Sequence, residues 1–265
     1  MKTIFITGST DGIGKLTATK LAKDGHQIIL HGRNSEKLEN TISKIKENTT
    51  NNQISGFVSD LSDFKSIQKM TSELANAFSK IDVLINNAGV FNSSIEQNQN
   101  GLDMRFVVNY LAPYLLTSEL LLMLKNSTSP RIINLSSAAQ TTVSIEALKG
   151  EETISTQEAY SQSKLALTMW SFDFAEQHPE INAIAVNPGS LLNTKMVQEA
   201  YGQYWSSADK GVDILYEVAV SEKHTESSGK YFDNDKGTFS KAHNDVYNQE
   251  KINELLAETN QILKK

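Results

Sequence analysis

Thr3-Ile4-Phe5-Ile6-Thr7-Gly8-Ser9-Thr10-Asp11-Gly12-Ile13-Gly14 opens the chain and decides how the rest is read. Thr3 to Ile6 are β-branched or aromatic, the composition of a short buried strand. Glycine then recurs at positions 8, 12 and 14, and residues 15–24 place Leu16, Ala18, Leu21 and Ala22 at helical spacing. A strand that breaks into a glycine-rich turn and resumes as a helix is built to hold a phosphate. Glycine lets the main chain approach a ligand closely, and the unpaired N–H groups of the helix start face its negative charge. The same pattern also serves as a tight turn with no ligand, so its meaning depends on the motifs further along the chain.

Working outward, strand-like runs at residues 3–6, 27–31, 53–58, 83–86, 131–135 and 182–186 alternate with helical patterns, and a weaker run lies at 230–232. The helices fall at residues 15–24, 36–47, 64–78, 102–125, 157–176 and 209–220. Right-handed crossovers place such helices on both faces of a parallel sheet. The expectation is an α/β, doubly wound parallel sheet of about seven strands, a three-layer sandwich. Pro113 falls early in its helix, where it removes a hydrogen bond and bends the axis. Residues 249–265 carry Ile252, Leu255, Leu256, Ile262 and Leu263 on one stripe, expected as a helix docked on the core. With no repeat or linker, residues 1–265 are read as a single domain.

The 265 residues are 39% hydrophobic and 21% charged, enough for a packed core and unlike a disordered chain. A net charge of −6 with no basic run argues against nucleic-acid and membrane partners. Cysteine is absent, which excludes disulfides and thiolate chemistry and fits a reducing compartment. The chain opens on a strand with no signal peptide, so a cytoplasmic location is expected. His26, His31, His178, His224 and His243 show no ligand spacing, and no metal is expected.

Three further elements accompany the opening turn. Asn86-Asn87-Ala88-Gly89 ends the fourth strand, Arg131 to Ser137 forms the fifth strand and its exit, and Tyr160-Ser161-Gln162-Ser163-Lys164 starts a long helix. Tyrosine and lysine four positions apart share a helix face. A free tyrosine titrates near about 10, too high for proton transfer at neutral pH, and a nearby cation lowers that value.

At these residues the chain resembles the short-chain dehydrogenase/reductase family. Thr-Gly-x-x-x-Gly-x-Gly, Asn-Asn-Ala-Gly, Ser, Tyr-x-x-x-Lys and Pro-Gly occur in that family's order across essentially the whole chain. The resemblance implies a Rossmann-type fold and a role for each position. Tyr160 would exchange a proton with the substrate oxygen. Lys164 would lower the pKa of Tyr160 and hold the nicotinamide ribose. Ser137, rather than Ser136, would donate to the substrate oxygen, and Asn109 would hold a water in the proton relay. Gly8, Ser9, Thr10, Gly12, Ile13 and Gly14 would cradle the pyrophosphate, and Asp60 and Leu61 would bracket the adenine. Asn87, Ala88 and Gly89 would line the cofactor cleft, though Asn87 also suits a role in bracing the central strand. Pro188, Gly189 and Thr194 would position the carboxamide. The segment from Pro188 to Thr194 is one residue longer than usual, so Asn193 is an alternative to Thr194.

Cofactor choice is set at the end of the second strand, where a carboxylate would grip a free ribose 2′-hydroxyl. This chain reads Leu30-His31-Gly32-Arg33-Asn34, with no acid there. Arg33 and Asn34 therefore favour NADP over NAD, since a guanidinium suits a 2′-phosphate. Asp11 counts against this, because NADP-preferring relatives carry a basic residue there. On the substrate side, an insert at residues 141–156 is expected over the cleft, and residues 195–207, with Tyr201, Tyr204 and Trp205, form a lid or seal the core. The insert and Gly229-Lys230-Tyr231-Phe232 are similar to the retinol dehydrogenase and protochlorophyllide reductase branch, implying a lipophilic carbonyl or alcohol substrate. Alternatives are a nucleotide-sugar epimerase-like enzyme and a non-catalytic NADP-binding regulator. The family's default assembly is a homodimer or homotetramer.

Overall fold

The computed structural model describes residues 1–264. Its centre is a sheet of β1 (Thr3–Ile6), β2 (Gln27–Gly32), β3 (Ile54–Val58), β4 (Val83–Asn86), β5 (Arg131–Leu135), β6 (Asn182–Asn187), β7 (Lys230–Asp233) and β8 (Thr238–Ser240). The strand order is β3-β2-β1-β4-β5-β6-β7-β8, with every pair parallel except the β7–β8 hairpin. The chain runs outward from β1 to β3 and then crosses back to β4. The switch point between β1 and β4 opens a crevice at their carboxyl ends, where this kind of sheet binds ligands. The eighth strand is the one the sequence left unread: three partly exposed residues, Thr-Phe-Ser, carry no hydrophobic run to announce it.

Side chains alternate across the sheet as the pleat requires. Ile4 and Ile6 join Ile28, Leu30, Val83, Ile85 and Ile133 beneath α1 (Gly12–Lys23), α2 (Ser35–Thr49) and α10 (Ala208–Val220). Phe5, Ile29, Leu84 and Ile132 face the other layer, built from α3 (Phe64–Ala77), α8 (Thr156–Gln177) and the segment between β4 and β5. Each such fully buried Ile or Phe contributes about 1.5–3 kcal/mol, so two continuous apolar layers fix the register of the central strands. Short helices α7 (Ile145–Leu148) and α9 (Lys195–Tyr201) lie in the loops after β5 and β6.

The helix expected at residues 102–125 is broken into α4 (Met104–Phe106), a π-helical turn (Val107–Leu111), α5 (Ala112–Glu119) and α6 (Leu121–Lys125). Pro113 explains the first break. It has no N–H for the carbonyl of Asn109 four residues earlier, so the α-helical ladder cannot run through and widens into the π turn just before it. The C-terminal stripe docks as expected: α11 (Gln249–Lys264) buries Ile252, Leu255, Thr259 and Ile262. Its Thr259 hydroxyl meets the buried Tyr110 hydroxyl at 2.7 Å.

Candidate active site

The glycine-rich turn is sewn to the end of β4. Gly8 adopts φ +62°, and a Cβ there would lie 2.9 Å from the Ala88 Cα; a Cβ on Gly14 would lie 2.3 Å from the Asn87 amide nitrogen. Asn87 Nδ2 donates to the carbonyls of Thr7 at 2.8 Å and Gly8 at 3.1 Å. The Thr7 hydroxyl in turn accepts from the N–H groups of Asn87 and Ala88, both at 3.0 Å. Bracing the central strands is thus what the Asn87 side chain does here. Gly12, at φ +53°, has nothing within 4 Å of the position a Cβ would take, which leaves an open approach to the start of α1. A phosphate fits this cradle: the backbone is exposed and the helix N-terminus is directed at it.

Two residues here depart from expectation. The Ser9 hydroxyl is buried, donating to the Ile6 carbonyl at 2.8 Å and accepting from His31 N at 2.9 Å, so it faces the fold rather than a ligand. His31 passed only as a residue without metal-ligand spacing, yet it holds the turn. Its Nδ1 accepts from Gly8 N–H at 3.0 Å, which assigns the proton to Nε2 for donation to the Ser59 carbonyl at 3.0 Å. Desolvation pushes the His31 pKa down to about 4. No periodicity marks such a residue; only the fold brings Gly8, His31 and Ser59 together.

At the end of β2, Gly32 leaves room for Thr10, whose Cγ2 lies 2.5 Å from where a Cβ would be. Arg33 and Asn34 are exposed, and the Asn34 side chain caps α2 by accepting from Lys37 N at 2.8 Å. That cap brings Lys37 to Asp11, and their ion pair closes at 2.6 Å. The Lys37 hydrogen bond is the main reason the Asp11 carboxyl sits below its ordinary pKa. Sequence reasoning counted the charge of Asp11 and missed the cation that offsets it. Leu61 is buried beside an exposed Asp60, one of whose oxygens accepts from Ser62 N and Oγ at 2.9 and 2.8 Å.

Deeper in the crevice, the structure brings Asn109, Ser137, Tyr160 and Lys164 together. Ser136 is consumed internally, its hydroxyl 2.6 Å from that of Thr168. Ser137 differs. Its oxygen accepts from Ala139 N at 3.1 Å, its carbonyl accepts from the Tyr231 hydroxyl at 3.0 Å, and its side chain is near enough to the Tyr160 phenol to act on its pKa. Asn109 clamps Val90, accepting from its N–H at 2.8 Å and donating to its carbonyl at 3.0 Å, while also donating to Ser163 Oγ at 3.0 Å. Its side chain is therefore occupied. Its main-chain carbonyl, deprived of a donor by Pro113, is the atom suited to hold a water.

The ammonium of Lys164 is buried and donates to the Leu135 carbonyl at 2.7 Å. Desolvation brings its pKa down to about 8. A Cβ on Gly89 would lie 3.6 Å from this ammonium and 3.3 Å from the Asn109 amide oxygen, so the absence of a side chain there keeps a ligand's path to both groups open. The expected lowering of the Tyr160 pKa is not found. Burial raises it above its ordinary value, and the Ser137 side chain opposes that only in part. Lys164 stands 5.7 Å from the ring centre and faces a backbone carbonyl rather than the phenol oxygen.

The loop after β6 carries Pro188, Gly189 and Thr194. Within it Leu191 takes the left-handed conformation at φ +47°. Thr194 caps α9 by accepting from Val197 N at 3.3 Å, and Asn193 accepts from Gln198 Nε2 at 2.7 Å. Helix α9 fully buries none of its residues, so it does not seal the core. Phe91 lies over Tyr160 with ring centres 5.0 Å apart and meets Tyr201 of α9 at 5.6 Å. Tyr204 and Trp205 come next, exposed. The start of the insert at residues 141–156 is fastened to α8: the Thr141 and Ser161 hydroxyls are 2.8 Å apart, and Ser144 N donates to Gln162 Oε1 at 2.8 Å. Among the described residues no His, Cys, Asp and Glu cluster could hold a metal ion, and no helix is long and apolar enough to cross a membrane.

Residues 2–205 match the sequence profile of the short chain dehydrogenase family. Human retinol dehydrogenase 13 is 34% identical over 252 residues, covering 88% of this chain and 76% of that protein. Human polyprenol dehydrogenase is 32% identical over 266 residues, covering 92% of this chain and 80% of that protein. Among solved structures, a short chain dehydrogenase from Escherichia coli CFT073 complexed with NADPH superimposes with a TM-score of 0.74 at 25% identity, covering 88% of this chain and 96% of that one.

Proposed function

Because the chain belongs to the short-chain dehydrogenase/reductase family, we propose that it is an NADPH-preferring oxidoreductase acting on a lipophilic carbonyl/alcohol pair. The observation that carries this reading is the Tyr160 phenol, set beside Ser137 and sharing a helix face with the buried Lys164 ammonium at the sheet's switch point. The bound nicotinamide supplies or accepts the hydride. Gly12 and the start of α1 bind the pyrophosphate, and Arg33, with Lys37 behind it, faces the adenosine ribose. Ser137 donates to the substrate oxygen and stabilises charge that grows on it in the transition state. Tyr160 transfers the proton. Lys164 holds the nicotinamide ribose, and the Asn109 carbonyl holds a water that passes protons onward.

Substrate class rests on the aromatic cover. Phe91 and Tyr201 present ring faces beside the phenol, surfaces that suit a conjugated or isoprenoid chain, and two of the chain's relatives are dehydrogenases of retinol and of a polyprenol. The test is NADPH oxidation with retinal, long-chain enals and short ketones, using Tyr160→Phe as control. Retinoid and enal turnover lost by about 10²–10⁴-fold in the variant is the expected result. Turnover that survives the substitution would remove the phenol from its role.

A further inference from the structure

We infer that the turn joining β7 to β8 is a positioning device for the nicotinamide-binding loop, with Asp235 as its pin; this rests on the chain being a dinucleotide-binding enzyme. The loop from Asn187 to Ser190 is fastened to this turn residue by residue. Asp235 Oδ1 accepts from Ser190 N–H at 2.9 Å, and Oδ2 accepts from Ser190 Oγ at 2.6 Å and from Asn187 Nδ2 at 2.9 Å. Asn187 Nδ2 also reaches Asp233 Oδ1 at 3.1 Å, while its Oδ1 accepts from Gly189 N–H at 3.1 Å. Asn234 Nδ2 donates to the carbonyls of Pro188 at 2.8 Å and Lys210 at 2.9 Å. The Lys210 ammonium closes the network, 3.4 Å from Asp235 Oδ1, and its side chain lies against Gly189.

Ser190 is followed directly by Leu191, a bulky residue at φ +47°. That conformation is costly for leucine and persists only where its neighbours over-determine it. On the far side the Leu191 carbonyl accepts from Trp205 N–H at 2.9 Å. The strained residue is thus held between Asp235 and Trp205. Strand β8 reaches the core only through the half-buried Phe239, which packs edge-on against Phe232 of β7, so core packing anchors the hairpin without explaining the acidic turn between its strands. What the hairpin does is present Asp233, Asn234 and Asp235 to the loop.

The test compares wild-type protein with Asp235→Ala and Ser190→Ala, measuring dissociation constants for NADPH and for 2′-phospho-ADP-ribose, which lacks the nicotinamide. Asp235→Ala is expected to weaken NADPH about tenfold, as loss of hydrogen bonds to a charged group does, and to lower kcat, with 2′-phospho-ADP-ribose unchanged. Ser190→Ala, which removes the hydroxyl contact alone, shifts both quantities the same way by less. Unchanged NADPH affinity, or equal losses for both ligands, overturns the pin. Wild-type protein that binds neither ligand overturns the dinucleotide reading itself, and the pin with it. Thermal melting of each variant separates a misfolded protein from a misplaced loop.

Discussion

The Lys164 ammonium donates to the Leu135 carbonyl at 2.7 Å and lies 5.7 Å from the centre of the Tyr160 ring. The ammonium thus lies over the phenol's ring while its hydrogen bond goes to the backbone. With burial raising the Tyr160 pKa and lowering that of Lys164 to about 8, the pair favours a neutral phenol beside a cation that is readily lost. On the proposed function, that cation is the one that captures the cofactor's ribose. We expect kcat/KM for NADPH to be highest below pH 8 and to fall as pH rises through about 8, since Lys164 is charged below its pKa and neutral above it. Steady-state rates from about pH 6 to 10 check this. A profile that is flat across pH 8 would detach the lysine from cofactor capture.

His31 makes stability depend on pH. Its folded pKa of about 4 lies below the ordinary value near 6.5. Above pH 6.5 both folded and unfolded chains carry a neutral imidazole, and stability is full. Between 6.5 and about 4 the unfolded chain takes up a proton that the folded one refuses, so stability falls as pH falls, then levels off. The contribution is at most about 3 kcal/mol. His26, whose pKa is also lowered by burial, acts in the same direction. Melting curves from about pH 4 to 7.5 on wild type, His31→Gln and His26→Gln apportion the effect. The steeper slope should vanish with His31.

Cofactor preference turns on three charges. Arg33→Ala should weaken NADPH roughly tenfold to a hundredfold, the value of a charge-assisted hydrogen bond, while NADH changes little. Lys37→Ala should weaken NADPH in the same sense, because it also leaves Asp11 uncompensated beside the site. Asp11→Asn should tighten NADPH binding. Calorimetric titration with both dinucleotides decides, and equal losses for NADPH and NADH in the Arg33 variant would assign that residue elsewhere.

Helix α11 lies across the layer formed by the π-helical turn, α5 and α8, with Thr259 bonded to Tyr110 and Asn260 accepting from Tyr114 at 2.9 Å. α11 thereby covers part of the face that the π-helical turn, α5 and α8 would otherwise present to a second copy. We expect light scattering to return a mass near the 29.3 kDa of a single chain. A protein ending at Asn248 should self-associate through the uncovered face. A full-length dimer would mean that pairing uses another surface.

What the sequence made legible was what local pattern controls. β1 and β4 lie where their short strand-like runs place them, every residue buried, and the glycine turn, Tyr160 and Lys164 are set by spacing along one element. What it left hidden depends on chain segments meeting. β8 has no hydrophobic signature, and Lys37 meets Asp11 only because Asn34 turns α2 toward α1. The Tyr160 pKa is decided by desolvation that no motif records. The helix at 102–125 was half legible: Pro113 signalled a bend, but its effect, a widened turn that frees the Asn109 carbonyl, comes from which atom lost its donor. The insert at 141–156 was legible as an insertion, but the bonds of Thr141 and Ser144 to α8 depend on segments meeting and have no signature in the sequence.

Trp205 stands 74% exposed on the segment after α9, whereas Trp170 is 3% exposed within the core, and the chain has no third indole. Solvent changes the colour of the first and leaves the second alone. The protein therefore carries two separate optical gauges, one on the exposed segment after α9 and one in the packed interior. A blue shift on adding dinucleotide with no change in melting would register the burial of that segment without any label.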